Sequence, residues 1–303
     1  TRKESSAASD VYKRQGEHMS AGLHVAVDTG GTFTDIGIRK DDGELFVWKV
    51  PSTPEAPNEA VIDGIVGGLE QIDRSPEEIT RLVHGTTVAT NTVLTREGGR
   101  VGLLTTRGFR DVLAIAHQDR PAIYDYRQTR PAALISDDTI FEVDERIDAD
   151  GEVLTELDEA ALDQLAETIA SADLDVLIVS FINAYTNGQH ERAAVKRLTE
   201  LNAAPVVSAA TEVATEMREY DRTSTAAINA YVRPKVSTYM EKLEAGIEDL
   251  KIPSRLWVMQ SNGGLLNPKM ASTQSAKTVL SGLAGGVVGA ANWARSLSLK
   301  NVV

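Results

Sequence analysis

The chain has no cysteine among its 303 residues. Disulfide staples, thiolate catalysis and cysteine-ligated zinc are therefore excluded. The main reason to expect a secreted scaffold goes with them, and a cytoplasmic protein is the expectation. Positive charge is short: 31 Lys and Arg against 44 Asp and Glu leave a formal net charge of −13. Such a surface repels phosphate backbones and anionic headgroups, which argues against nucleic acid and membranes as partners. No apolar run reaches the roughly 18 residues that a membrane span needs. Runs such as Val176-Leu177-Ile178-Val179 are strand-length. The five histidines form no pair at metal-ligand spacing, so a dedicated zinc site is not expected. No G-x-S-x-G elbow is present, and neither G-x-G-x-x-G nor G-x-x-x-x-G-K-[ST] occurs, so the usual helix-start phosphate sites do not apply. There is no internal repeat and no low-complexity tract.

What is present suits a globular chain of one large or two ordinary domains, 42% hydrophobic and 25% charged. Residues 1–18 are polar and patternless ahead of Met19, and read as extraneous and disordered. Apolar Leu23–Val27, a Gly-Gly turn and alternating Ile36–Ile38 predict a hairpin, and Leu45–Val50 a third strand, which Pro51, Pro54 and Pro57 end. A helix is predicted over 58–71 and a short one from Ser75-Pro76. Further on, strands are predicted at 81–84, 101–106, 140–147, 176–181, 206–208 and 256–259. Helices are predicted near 109–113, at 158–170, 188–201 and 219–250, and from about Gly285. Pro234 should break or kink the long one. Gly85 reads as a turn between a strand and a helix start. Residues 117–136 are irregular. Strand–helix alternation from about residue 81 predicts an α/β fold with mainly parallel pairing, and the meander ahead of it a mixed sheet.

The most informative stretch is Asp28-Thr29-Gly30-Gly31-Thr32-Phe33-Thr34-Asp35. Glycines let backbone N–H groups approach an anion, and hydroxyls add donors. Thr29, Gly30, Gly31, Thr32 and Thr34 are the candidate phosphate contacts, with Asp28 at the end of a buried strand as the carboxylate that would hold Mg²⁺. Asp35 either joins them or closes the turn by bonding backbone. A second cluster is His84-Gly85-Thr86-Thr87 with Asn91. His84 either meets an anion or carbonyl oxygen at a helix start or is a satisfied core histidine, and the threonines either bind substrate or cap the helix. A third is Arg218-Glu219-Tyr220-Asp221-Arg222-Thr223-Ser224. Arg218 and Arg222 share a helix face, either clamping a carboxylate or phosphate or forming local ion pairs. Asn262, in Gln260-Ser261-Asn262-Gly263-Gly264, sits either in a ligand-lining loop beyond a strand end or in a plain turn. Ser281-Gly282-Leu283-Ala284-Gly285-Gly286 permits close helix approach, as at a hinge.

Several of these stretches in order, joined by Leu104–Asp111, Asn229-Ala230-Tyr231-Val232 and Met259–Gly264, resemble the A-type subunit of the hydantoinase/5-oxoprolinase family, which also includes acetone carboxylase subunits. The resemblance runs from Met19 almost to the end. It implies an actin-like ATPase (ribonuclease H-like) lobe with a mixed sheet and an inserted α/β region. It divides the chain into an N-terminal domain over 19–200 and the start of a core domain over 201–303. It implies ATP and Mg²⁺ as cofactors, Asp28 and His84 as catalytic residues, and Thr86, Thr87, Asn91, Arg218, Arg222 and Asn262 around the substrate. The implied activity is opening of a cyclic amide such as 5-oxoproline or a hydantoin, with phosphorylation of a carbonyl oxygen. ATP-dependent carboxylation of a ketone on the same scaffold is one alternative, and a non-catalytic lobe that associates with a partner is another. A B-type hydantoinase subunit or domain is the implied partner. Two departures stand out: Leu283 replaces the family's usual proline, and the second glycine-rich phosphate motif expected beyond the Ser281–Gly286 stretch is not reached by Val303. The expectation is a chain truncated before the second lobe and inactive by itself.

Overall fold

The computed structural model describes residues 22–53, 55–118, 124–125, 127–128 and 132–301. The expectation for residues 1–18 lies outside them, as does part of the irregular 117–136 stretch. The chain forms two compact units. The first takes the stretch up to Thr87, Tyr239–Pro268 and the stretch from Ser281; the second takes Val88–Thr238 and Lys269–Leu280.

In the first unit, β1 (Leu23–Thr29), β2 (Phe33–Arg39) and β3 (Leu45–Pro51) form the antiparallel meander. The sheet continues through β4 (Ile79–Thr86) and β11 (Leu256–Met259), both parallel, to β12 (Leu265–Leu266), in the order β12-β11-β4-β1-β2-β3. The sheet is mixed, as the pattern predicts. Residue alternation divides its faces. Val25, Val27, Ile36 and Ile38 are buried, together with Ile65 and Leu69 of α1 (Pro57–Gln71). Ala26, Asp28, Asp35, Val47 and Lys49 take the opposite face. Gly85 is not a turn: β4 runs on to Thr86, and Gly85 pairs with Asp28 in register.

In the second unit, β5 (Val101–Thr106), β6 (Ile140–Val143), β9 (Val176–Ser180) and β10 (Val206–Ala209) form a parallel sheet in the order β10-β9-β5-β6. Helices α4 (Glu159–Ala170) and α5 (Gln189–Glu200) follow strands in βα fashion, and Leu162, Leu177, Val179, Phe181 and Leu198 are wholly buried in the core. The unit also holds α2 (Val88–Thr95), the short α3 (Val112–Ile115) and the hairpin of β7 (Arg146–Ile147) with β8 (Val153–Thr155).

The strand predicted over 140–147 is interrupted after Val143 because Glu145 turns inward. Its buried carboxylate accepts from the Thr106 hydroxyl and meets His190 Nδ1 at 2.8 Å. The long helix α6 (Glu219–Asp249) runs unbroken through Pro234. Ala230, Tyr231, Val232, Val236, Met240 and Leu243 are all buried, so tertiary packing outweighs the local cost of the proline. Two helices follow, α7 (Pro268–Thr273) and α8 (Ser281–Ser296). None of the helices among the described residues is long and apolar enough to cross a membrane.

Candidate functional site

A cleft of about 300 Å³ opens on the solvent-side face of the first unit's sheet. Asp28, Asp35, Gly37 and Val47 line one part of it, Val83, Gly85 and Met259 another, and Ser281, Gly282, Gly285 and Gly286 of α8 close it. Strand register sets the chemistry here. Lys49 pairs with Asp35, Asp35 with Asp28, and Asp28 with Gly85, so one row crosses β3, β2, β1 and β4. Two carboxylates thus stand side by side. Asp28 does not point into the turn, as its place at a strand end suggested, but onto the open face. Burial in the cleft, and then the neighbouring Asp35 charge, hold its carboxyl above the usual carboxylate range. Asp35 is ion-paired to Lys49 Nζ at 2.9 Å.

Glycines flank Asp28. A Cβ at Gly85 would lie 2.9 Å from Asp28 Oδ1, and one at Gly282 would lie 3.4 Å from it. A side chain at 85 would crowd the carboxylate, and one at 282 would stand in van der Waals contact with it. Ser281 ties the start of α8 down by donating its hydroxyl to Thr86 O at 3.1 Å.

The glycine turn is held from one side. Gly30 N–H donates to Phe33 O at 3.0 Å and closes it. Ser52, just past β3, donates its backbone N–H to Thr32 O and its hydroxyl to Gly30 O, both at 2.9 Å. At Gly31 a Cβ would meet nothing within 4 Å, so the chain leaves that side of the turn open. Thr34 is wholly buried with its hydroxyl 3.0 Å from Ser52 Oγ. It braces the turn from inside, and the expected contact of its side chain with phosphate is revised on that ground.

His84 is also revised. Its ring is fully buried, with Nδ1 3.2 Å from Val27 O and Nε2 2.7 Å from the Tyr239 hydroxyl. A carbonyl can only accept, so Nδ1 carries the proton and Nε2 accepts from Tyr239. Burial depresses the His84 pKa to about 4, against the opposing bond to Val27. A neutral imidazole with both nitrogens engaged is not a proton carrier for the cleft. It is one link in an internal chain that runs from the Val27 carbonyl through the imidazole to the Tyr239 phenol. Burial pushes the Tyr239 pKa up. Thr87 completes the support by donating its hydroxyl to Thr29 O at 3.0 Å.

The remaining candidates fall elsewhere. Asn262 lies in the first unit, where its side-chain oxygen accepts from Gly264 N–H at 2.9 Å and shapes the β11–β12 turn. Asn91, Arg218 and Arg222 belong to the second unit. Arg222 is completely buried, paired to Glu191 and Glu219 at 2.6 Å each and donating to Phe181 O. A guanidinium so enclosed clamps α6 to the second unit's sheet, and a substrate contact by Arg222 is revised accordingly. Arg218, just ahead of α6, is exposed.

Sequence reasoning missed Ser52, Lys49 and Tyr239. Alternation along β3 could have placed Lys49 on the cleft face. Tyr239 gave no signal, since its partner stands 155 residues away in the chain.

Among the described residues no group of three or more His, Asp and Glu is disposed to hold a metal alone. One or two carboxylates beside a phosphate are nevertheless the usual protein share of a Mg²⁺–nucleotide site. The facing Asp28 and Asp35, whose mutual repulsion a cation would relieve, fit that role.

Comparison with known proteins agrees with this architecture. Residues 24–202 match the family described as hydantoinase/oxoprolinase N-terminal region, and residues 222–303 match hydantoinase/oxoprolinase. The chain belongs to the hydantoinase/oxoprolinase family. An uncharacterized protein of Methanocaldococcus jannaschii is 36% identical over 94% of this chain and 42% of its own length. Caprolactamase subunit alpha of Pseudomonas jessenii is 30% identical over 92% of this chain and 41% of its own. An acetone carboxylase solved in a nucleotide-free state superposes with a TM-score of 0.82 at 24% identity, over 92% of this chain and 41% of that one. The chain thus spans about two fifths of the length of these two relatives, and about a quarter of the length of the 5-oxoprolinases it also matches.

Proposed function

We propose that the first unit is an actin-like ATPase lobe that holds the phosphate tail of ATP, with Mg²⁺, at the Gly30-Gly31-Thr32 turn and Asp28. In this reading the protein is part of an enzyme that opens cyclic amides. The observation that carries it is Asp28 itself: a carboxyl with a raised pKa, lining a cleft and flanked there by glycines at 85 and 282. Burying part of a carboxylate next to another is unfavourable unless a cation or donor meets it. Backbone N–H groups at the turn supply donors for oxyanions.

ATP, when bound, supplies a phosphoryl group that converts a carbonyl oxygen into a better leaving group. The chain's own part is positioning. Asp28 holds the cation side, the turn holds the phosphates, and Ser52, Thr34, Tyr239 and His84 keep the turn rigid. The 30% identity to a caprolactamase alpha subunit supports a cyclic amide as substrate and a second subunit as partner.

The test is ATP turnover by the full-length protein, with its partner subunit where that is a separate chain, on 5-oxoproline, hydantoins and caprolactam. Ring opening coupled to ATP cleavage, abolished by Asp28→Asn, is the expected result. Turnover only with a ketone and bicarbonate would move the reading to carboxylation. ATP turnover unchanged by Asp28→Asn would remove the site.

A further inference from the structure

The cleft as lined lacks a countercharge. Its side chains include two carboxylates, Asp28 and Asp35, and no Lys, Arg or His. A polyanionic phosphate tail beside two carboxylates is untenable without cations, and one Mg²⁺ must already offset Asp28 and Asp35. Among the described residues the only cation ion-paired to a carboxylate of the cleft is Lys49.

Two independent contacts fix where its ammonium stands. It is 2.9 Å from Asp35 Oδ1, and it lies 5.1 Å from the centroid of the Phe33 ring. Phe33 is the first residue after the Gly30-Gly31-Thr32 turn. The charge therefore sits at the rim of the cleft, beside the turn, on the strand face that Val47 carries into the cleft wall. Both partners of the ion pair are about half exposed, 54% for Lys49 and 47% for Asp35. Such a pair is weakly held and readily exchanged for a stronger one. A lysine is suited to this, being a compact charge on a flexible stem.

We propose that Lys49 is a phosphate-binding residue that exchanges partners: paired with Asp35 in the empty cleft, it turns to the terminal phosphate oxygens of a Mg²⁺-bound nucleoside triphosphate once the metal meets the aspartates. This rests on the nucleotide reading of the same cleft. No covalent step is involved. Lys49 contributes a charge-assisted hydrogen bond and nothing to proton transfer.

The experiment is isothermal titration of the full-length protein with Mg²⁺ and adenylyl imidodiphosphate, then with Mg²⁺ and AMP. Lys49→Gln should weaken the triphosphate mimic tenfold or more and leave AMP within about twofold, a contrast expected of a charge-assisted bond to the distal phosphate. Lys49→Arg should recover most of the loss. Lys40→Gln removes an equal charge from a surface pair with Glu44 and should leave affinity unchanged. Triphosphate affinity within twofold of wild type in Lys49→Gln, while Asp28→Asn abolishes binding, overturns the role of Lys49 alone. So does an equal loss in Lys40→Gln, which would reduce the effect to net charge. No binding of the mimic by the wild-type protein, or binding untouched by Asp28→Asn, overturns the nucleotide reading and this proposal with it. Thermal melts of each variant confirm folding, as expected for an exposed side chain.

Discussion

The Tyr239 hydroxyl donates to His84 Nε2 across 2.7 Å beneath the strand end that carries Asp28. The direction of this bond is forced, because His84 Nδ1 faces the carbonyl of Val27. Tyr239→Phe leaves the imidazole acceptor buried and unpaired, which should cost about 1–3 kcal/mol of stability. Because His84 and Tyr239 support the strand end that carries Asp28, the variant should raise KM for ATP more than it lowers kcat. Denaturant unfolding reads the first effect and steady-state kinetics the second.

Acid should find the same histidine. The folded-state pKa of His84, about 4, lies below the ordinary histidine value of 6.5. The unfolded chain therefore binds the proton first as pH falls. Stability from this group is complete above pH 6.5 and is lost progressively down to pH 4, by about 3 kcal/mol in all. Urea midpoints across that window should fall with pH, and His84→Gln should flatten that part of the profile.

Asp28→Asn should stabilise the ligand-free protein at neutral pH. A carboxyl whose pKa is raised in the folded state opposes folding once it is ionised, and the amide removes that charge next to Asp35. A higher melting temperature with lost ATP turnover is the expected pairing, as at other sites where function is kept at the expense of stability.

Ser52→Ala removes the hydroxyl that holds Gly30 O and contacts Thr34. We expect about 1 kcal/mol of destabilisation and a several-fold weaker grip on the triphosphate mimic. Titration and melting together separate the two.

Arg222 should behave as a buried structural ion. Arg222→Ala strands Glu191, which has no exposed side-chain surface, and should cost about 3–5 kcal/mol. Chemical denaturation of the variant checks this.

Much of the fold was legible because hydrophobic period and turn chemistry are local signals. Leu23–Thr29 and Phe33–Arg39 alternate cleanly around a glycine turn, and Val101–Thr106 and Val176–Ser180 are strand-length and mostly apolar. Departures occur where long-range packing overrides local preference: at Pro234, held in a helix by its buried neighbours, and at Glu145, drawn inward by His190. The site was legible in part for the same reason. Residue types marked Asp28 and the glycines. Whether a side chain faces the cleft or the interior depends on register and on distant partners. His84 and Thr34 turned out to face inward, toward Tyr239 and Ser52, and Arg222 toward Glu191. Lys49 reached the cleft rim only through the pairing of β2 with β3.

Positions 28 and 85 compete for one small volume, since any side chain on the second would press on the carboxylate of the first. Their placements are therefore coupled. Alanine at 85 would push the tip of the Asp28 side chain from its place while meeting the backbone only in ordinary contact. The bare backbone at 85 thus helps to set where that acid points.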